Sequence, residues 1–422
     1  MSGFQSVLII GKVWPEPDSS AAGKRMMQLI KILQSSGAKV TFVTAAAQSE
    51  YSLNLKNLGV STAEVRINDS GFDAYLSELD PDIVLFDRFM TEEQFGWRVG
   101  EHCPGALRVL NTEDLHCLRS VRQQAVERNA VYSDDLLLSS DMSKREIASI
   151  YRSDLTLIIS EAEIKLLKDL FKIPSGLLYY LPIFSDPIDN ETVKKFPAFT
   201  ERNHFIHIGN FRHPPNLDSV LYMKNEVWPL IREQLPDVEL HLYGAYPSGK
   251  VTSLHDTSEG FIIKGRADHA KGVMQQARVC LAPLRFGAGL KGKLLEAMEC
   301  GTPSITTEIG SEGINGSLEW SGYISNYDEP LVFANRAVEL YSNMKIWNIC
   351  SKQGFRIINE RFTDLKLMDV LIDRLSELRK KLEVHRNQNF TGSMLMHHTT
   401  ASTKYMSRWI EAKNRDQNKA KE

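Results

Sequence analysis

Between residues 281 and 303 the sequence reads Leu281-Ala282-Pro283-Leu284-Arg285-Phe286-Gly287-Ala288-Gly289-Leu290-Lys291-Gly292-Lys293-Leu294-Leu295-Glu296-Ala297-Met298-Glu299-Cys300-Gly301-Thr302-Pro303. A short apolar run enters a loop with three glycines and two lysines. An apolar helix follows and ends at Gly301, with Pro303 beyond it, the usual stop pattern. These are the parts of an anion site. Gly287 and Gly289 let backbone N–H groups approach a phosphate, the helix N-terminus adds a partial positive charge, and Lys291 and Lys293 add full ones. A diphosphate leaving group needs such stabilisation as the bond to it breaks. Glu296 lies one turn into the helix, where a carboxylate can accept ribose hydroxyls, as acidic residues do in dinucleotide sites. Taken singly, each feature is as well explained by a plain turn, a solvated lysine or an exposed helix residue. The combination is specific.

Such a loop needs a strand before it and a sheet around it. The chain opens on Val7-Leu8-Ile9-Ile10-Gly11, which reads as a buried parallel strand, followed by a helix from Ala21 to Gln34 and a strand over 39–44. This strand–helix–strand opening favours a parallel sheet covered by helices. Further strands read at 82–87, 107–111 and 155–160, with a charged helical region over about 115–150. A polar, proline-containing break at 185–203 reads as a linker. The rhythm then restarts, with strands at 205–209, 239–244, 261–265, 279–284 and 304–307 and helices at 217–235, 267–277, 292–300 and 329–343. The expected organisation is an N-terminal α/β domain over 1–190, a second over 204–360, a return helix over 361–382 and, over 383–422, a polar tail or weak helix (Met406 to Ala412) with no core of its own, in which His397-His398 is a solvated pair rather than a metal site. Two such domains in series imply a cleft between them.

The 281–303 segment strongly resembles the donor-binding signature of the group 1 nucleotide-sugar glycosyltransferases, retaining enzymes of the GT-B fold. Neighbouring stretches are similar too. Phe205 to Gly209, then Asn210-Phe211-Arg212-His213-Pro214-Pro215-Asn216, looks like the first strand and loop of the donor domain in one branch of that family. Tyr243-Gly244 and Glu308-Ile309-Gly310-Ser311-Glu312-Gly313 look like later loops of it. The resemblance covers about 205–315 well, the first domain loosely and 383–422 not at all. It implies two Rossmann-like domains facing across a cleft. It also implies donor contacts at Gly209, Arg212, Asn216, Gly287, Gly289, Lys291, Lys293, Glu296, Gly310 and Ser311, with Gly23 and Arg25 facing the phosphates from the first domain. The family often has a glutamate eight positions before Glu296; here that position is Ala288. The resemblance further implies that the leaving diphosphate itself helps deprotonate the acceptor, assisted by Lys291. His116, in Asn111-Thr112-Glu113-Asp114-Leu115-His116, resembles the cleft histidine that orients the acceptor or contacts the transferred sugar.

The expected activity is transfer of a sugar from a nucleoside-diphosphate sugar to a hydroxyl of a glycan, a lipid-linked acceptor or a small molecule, with retention and with neither metal nor cofactor. Two other readings share the scaffold. One is a nucleotide-sugar epimerase or hydrolase. The other is a non-catalytic nucleotide-sugar-binding partner subunit, for which Ala288 speaks. A dehydrogenase is disfavoured, because no Gly-x-Gly-x-x-Gly follows the first strand at Gly11-Lys12-Val13. The amphipathic stretch 166–173 reads first as a helix packed on its own sheet, although family members acting on lipid-linked acceptors use such helices for peripheral membrane contact. The balance of 50 Lys and Arg against 53 Asp and Glu argues against a general nucleic-acid binder. Five scattered cysteines without a Cys-x-x-Cys, the absence of a signal-like start and no run of ~20 apolar residues favour a cytoplasmic location.

Overall fold

A computed structural model describes residues 3–419. Its first sheet has seven parallel strands in the order β3-β2-β1-β4-β5-β6-β7: β1 (Ser6–Gly11), β2 (Lys39–Thr44), β3 (Ser61–Glu64), β4 (Ile83–Asp87), β5 (Leu107–Asn111), β6 (Leu155–Ile158) and β7 (Leu178–Tyr180). The second has six, in the order β10-β9-β8-β11-β12-β13: β8 (Asn203–Ile208), β9 (Leu240–Tyr243), β10 (Phe261–Gly265), β11 (Ala277–Ala282), β12 (Ser304–Thr306) and β13 (Gly322–Ile324). Both sheets carry helices on both faces, which is why the central strands are mostly apolar.

The period-two geometry of a strand divides the first core cleanly. Val7 and Ile9 of β1, Ile83 and Leu85 of β4, and Leu107 and Val109 of β5 enter one apolar cluster. Leu8 and Ile10, Val84 and Phe86, and Leu110 enter the cluster on the opposite face. Three edge strands, β3, β7 and β13, do not stand out in the sequence. They are only three or four residues long and mostly half-exposed, so they lack the continuous apolar run that marks a buried strand.

The chain crosses between lobes twice, and the crossings are tied together. The Ser185 N–H donates to Phe362 O at 2.9 Å. Ile188 and Asn359 exchange two hydrogen bonds of 2.8 Å. The helix Lys366–Lys380 then returns to the first lobe, where Leu371, Leu375 and Leu378 join the core beside the helix Ala21–Ser35.

Beyond it, where a polar tail or a weak helix at Met406 to Ala412 is expected, the structure has two docked helices. Helices Leu382–Gln388 and Phe390–Lys419 lie along the first lobe, the second against helices Phe89–His102 and Asp141–Arg152. Polar ties hold them. Arg386 donates to Asp154, to Pro104 O at 2.6 Å and to Ala106 O at 2.7 Å. Asn389 donates to Tyr151 O at 2.7 Å, and Glu411 accepts from the Ser70 hydroxyl at 2.7 Å. Hydrophobic periodicity reports apolar burial, so it is blind to a helix anchored in this way. Residues 420–422 of the expected tail, and Met1 and Ser2 of the start, lie outside the described residues.

Candidate functional site

The glycine loop between β11 and the helix Gly292–Glu299 meets the first lobe closely. Gly289 has φ +63, and a Cβ there would stand 2.8 Å from the Asp114 Cβ. Glycine is therefore required by conformation and by contact with the opposite lobe. The Gly289 N–H donates 2.8 Å to Glu163 Oε1, the same oxygen that takes the Leu115 N–H at 2.9 Å. Glu163 Oε2 is buried without a hydrogen-bond partner. Burial, helped by the Asp114 charge, raises the Glu163 pKa above the usual carboxylate range.

Lys293, half-buried, joins buried Asn216 and His207 in one unit. The Lys293 Nζ donates to Asn216 Oδ1 at 2.8 Å and lies 3.4 Å from His207 Nε2. His207 Nδ1 is 2.9 Å from Leu281 O, which fixes the tautomer with hydrogen on Nδ1 and leaves Nε2 as an acceptor. Asn216 in turn donates to Asn210 O at 2.9 Å. A Cβ on Gly209 would lie 2.6 Å from the Asn216 amide, so glycine there makes room for it. Burial pulls Lys293 down to about 8. Lys291, one position before the helix, donates to Gly289 O at 2.9 Å and lies 4.0 Å from Glu312 Oε2. Burial lowers its pKa as well, against the pull of Glu312.

Glu296 faces the cleft from the same helix, and its Oε1 accepts from Lys24 of the first lobe at 2.8 Å. Arg212 stands exposed at the rim, its guanidinium 3.8 Å from the Tyr246 ring centroid, and the Tyr246 hydroxyl crosses to Glu16 at 2.8 Å. The first-lobe wall carries His116 at the start of the helix His116–Glu127. Burial lowers the His116 pKa to about 4 despite Asp114, whose Oδ1 lies 3.3 Å from Nε2, so the imidazole is neutral at pH 7. Against burial, which pushes it up, Arg119 and His116 hold Asp114 at about 2. His213, on the opposite wall, lies in the field of Arg119, Asp114 and Lys293. The strand ends beneath are strained: Arg88 has φ 73 and Glu113 φ 61, conformations that cost energy and cluster at functional sites.

Four expected donor contacts are placed differently. Arg25 is turned inward, beneath the strand ends, donating to Asn111 Oδ1 at 3.0 Å and Leu181 O at 2.6 Å. The Gly23 N–H is taken by Ser20 Oγ at 3.0 Å, a helix cap. The Gly310 N–H donates to Thr307 Oγ1 at 3.1 Å and the Ser311 N–H to Thr307 O at 3.0 Å, so neither amide is presented to the cleft. Gly287 does stay at the cleft, where its carbonyl accepts from Arg122 at 2.9 Å. Ala288 packs on the apolar cluster of the first lobe. Arg122 also grips Glu312 through two contacts of 2.8 Å, a further tie between the lobes.

Residues 202–343 match the family described as glycosyl transferases group 1. The match covers about a third of the chain and lies on the second lobe. Relatives of the chain include an uncharacterized 44.6 kDa protein in the cps region of Klebsiella pneumoniae, 25% identical over 181 residues. That match spans 41% of this chain and 46% of the relative, about half its length. Among solved structures, sucrose-phosphate synthase from Thermosynechococcus elongatus superposes with a TM-score of 0.65 at 16% identity, over 90% of this chain and 99% of that one. Anabaena HepE, in complex with UDP-glucose, gives 0.64 at 13% identity, over 88% and 100%. Two facing parallel-sheet domains of this kind make the GT-B fold.

The cleft between the lobes is closed by the chain's own side chains. Glu163 holds the Gly289 amide and Lys24 holds the carboxylate of Glu296. Lys24→Ala is expected to tighten nucleoside-diphosphate binding by about two- to fivefold, because a half-exposed ion pair contributes roughly 0.5–1 kcal/mol to closure. Titration calorimetry reads this directly, and weaker binding would show that Lys24 touches the nucleotide itself.

Proposed function

We propose that the chain transfers a sugar from a nucleoside-diphosphate sugar, held by the second lobe, to a hydroxyl acceptor lying over the first. The observation that carries the reading is the convergence of Lys291, Lys293 and Asn216 at the start of the helix bearing Glu296, opposite His116. Ammonium groups in a dry site stabilise a leaving diphosphate more than they would in water. Glu296 then takes the ribose hydroxyls once Lys24 lets go. Neutral His116, oriented by Asp114, faces the transferred sugar or the acceptor as a hydrogen-bonding group. With Ala288 in the position where the family often has a carboxylate, departure of the diphosphate and proton uptake by its oxygen supply the base, which goes with retention and needs no metal.

A uridine diphosphate donor is the first choice, since HepE shares the fold and was solved with UDP-glucose. The relative in a cps region supports a place in polysaccharide biosynthesis, which this reading sets in the cytoplasm, on a glycan or a lipid-linked acceptor. Among the described residues no helix is long and apolar enough to cross a membrane.

The test is a thermal-shift screen of nucleoside diphosphates and nucleotide sugars, followed by transfer assays with the anomeric product read by NMR. A donor that stabilises the protein and is passed to an acceptor with retention is expected. Release of free sugar at the same rate with and without acceptor would make the protein a hydrolase. Within this reading His116→Ala is expected to lower kcat by about 10- to 100-fold through lost positioning, with nucleoside-diphosphate affinity unchanged by calorimetry.

A further inference from the structure

The helix Phe390–Lys419 covers the first lobe with one side only. Its inner side carries Ser407, within 3.3 Å of Arg98, and Glu411, bonded to Ser70. Its outer side carries Phe390, Met394, Tyr405 and Trp409, which are 76%, 46%, 69% and 62% exposed. At about 100° per residue these four fall within one arc of roughly 100°. The spacing is that of an apolar stripe, and none of the described residues covers it.

Charge accompanies the stripe. From residue 404 onward the sequence has six basic residues (Lys404, Arg408, Lys413, Arg415, Lys419 and Lys421) against three acidic ones, in a chain whose net charge is −3. The Lys413 ammonium sits 5.2 Å from the Trp409 ring, and Lys404 and Arg408 share a single carboxylate, Glu101. Large aromatic side chains with polar tips, flanked by cations on a helix lying flat on its lobe, match the chemistry of an anionic bilayer surface. The rings enter the headgroup boundary while the cations meet lipid phosphates. The stretch 166–173, read first as a helix packed on its own sheet, has Leu166, Leu167, Leu170, Phe171 and Ile173 packed into its own lobe.

We propose that the exposed Phe390–Trp409 face is a docking surface for anionic membrane lipid, which would hold the catalytic cleft at the bilayer. The proposal is independent of the transfer reading, because vesicle binding is measured without turnover.

Trp409 is the one exposed tryptophan of six; Trp14, Trp97, Trp228, Trp320 and Trp347 are all buried. Full-length protein is mixed with vesicles of phosphatidylcholine alone or of phosphatidylcholine with phosphatidylglycerol. Flotation with the anionic vesicles is expected, with a blue shift of tryptophan emission and weakening by salt. The Tyr405→Ser/Trp409→Ser variant is expected to lose ~tenfold or more in vesicle affinity, with an unchanged melting temperature and unchanged nucleoside-diphosphate affinity. Absence from both vesicle fractions overturns the proposal, as does equal flotation of the variant. A dimer abolished by the double substitution, with no vesicle binding by the parent, also overturns it by assigning the stripe to a second copy of the chain.

Discussion

Replacing Lys293 with alanine is expected to lower kcat by about 100- to 1,000-fold, the effect of removing one preorganised charge-stabilising group, roughly 2.7–4 kcal/mol. The group is costly to keep. Its side chain is mostly withdrawn from water, with one amide oxygen and one imidazole nitrogen for partners and no carboxylate within ion-pair distance among the described residues. Structural lysines are seldom buried without an opposite charge. A cation mostly withdrawn from water and lacking a counter-charge at a helix N-terminus is arranged for an anion that arrives from outside. Nucleoside-diphosphate affinity should fall together with kcat, because the charge is attracted to the diphosphate before and after the bond breaks. The truncated variant also leaves Asn216 Oδ1 and His207 Nε2 without a donor, so its melting temperature must be recorded, and Lys293→Met, which retains most of the volume, is the companion variant. Lys291→Ala should cost less, since that ammonium already leans on Gly289 O and Glu312. Undiminished diphosphate affinity in folded Lys293→Ala and Lys293→Met would remove the phosphate assignment.

The sheet strands and the donor helix are legible in the sequence because burial on both faces leaves uninterrupted apolar runs, as at Val7–Ile10 and Val279–Ala282. The unit Gly209–Asn216–Lys293 is legible only as a resemblance, since 77 residues separate Asn216 from Lys293. The error at Arg25 has a physical cause that periodicity contains. In the helix Ala21–Ser35 the buried positions include Arg25, Leu29, Ile32 and Leu33, whereas Lys24, Gln28 and Lys31 lie on the more exposed side. Reading the helix phase through the two cations points Lys24, not Arg25, at the cleft. Glu163 and Glu312 carry no such signal. Each acts by reaching a backbone amide or a guanidinium of the opposite lobe, and a contact between lobes leaves no periodic trace in either segment. The C-terminal helices were hidden for a third reason, because arginine and asparagine hold them in place of leucine.

Nucleoside-diphosphate binding is expected to weaken as pH rises through 8, by about tenfold per pH unit for each lysine that must recover its proton. The sign follows from burial. In the free protein Lys293 titrates at about 8 and Lys291 also lies below the usual lysine range, both through desolvation. A diphosphate beside them favours the charged form, so the complex binds more protons than the free protein above pH 8, and affinity falls there. Below about pH 7 both lysines are already charged and their contribution is flat. The same shift acts on folding in the opposite sense. A lysine whose folded pKa is depressed is more often protonated in the unfolded chain, so its penalty on the free protein fades as pH rises from about 8 toward the unfolded value near 10.4. Ligand-induced stabilisation should therefore shrink across this range even where the free protein becomes no less stable. Other buried groups titrate elsewhere. Burial raises Glu146 to about 7, so the stability it confers is lost between the ordinary carboxylate range and that value, and His116 titrates near 4. Glu163, also raised, is separated by Glu163→Gln, which should leave the pH dependence of binding in place. Calorimetry at pH 8.5 in two buffers of different ionisation enthalpy should show proton uptake on binding, reduced in Lys293→Ala. Affinity that is constant between pH 7 and 9, with no proton exchanged, would mean that neither ammonium meets the diphosphate.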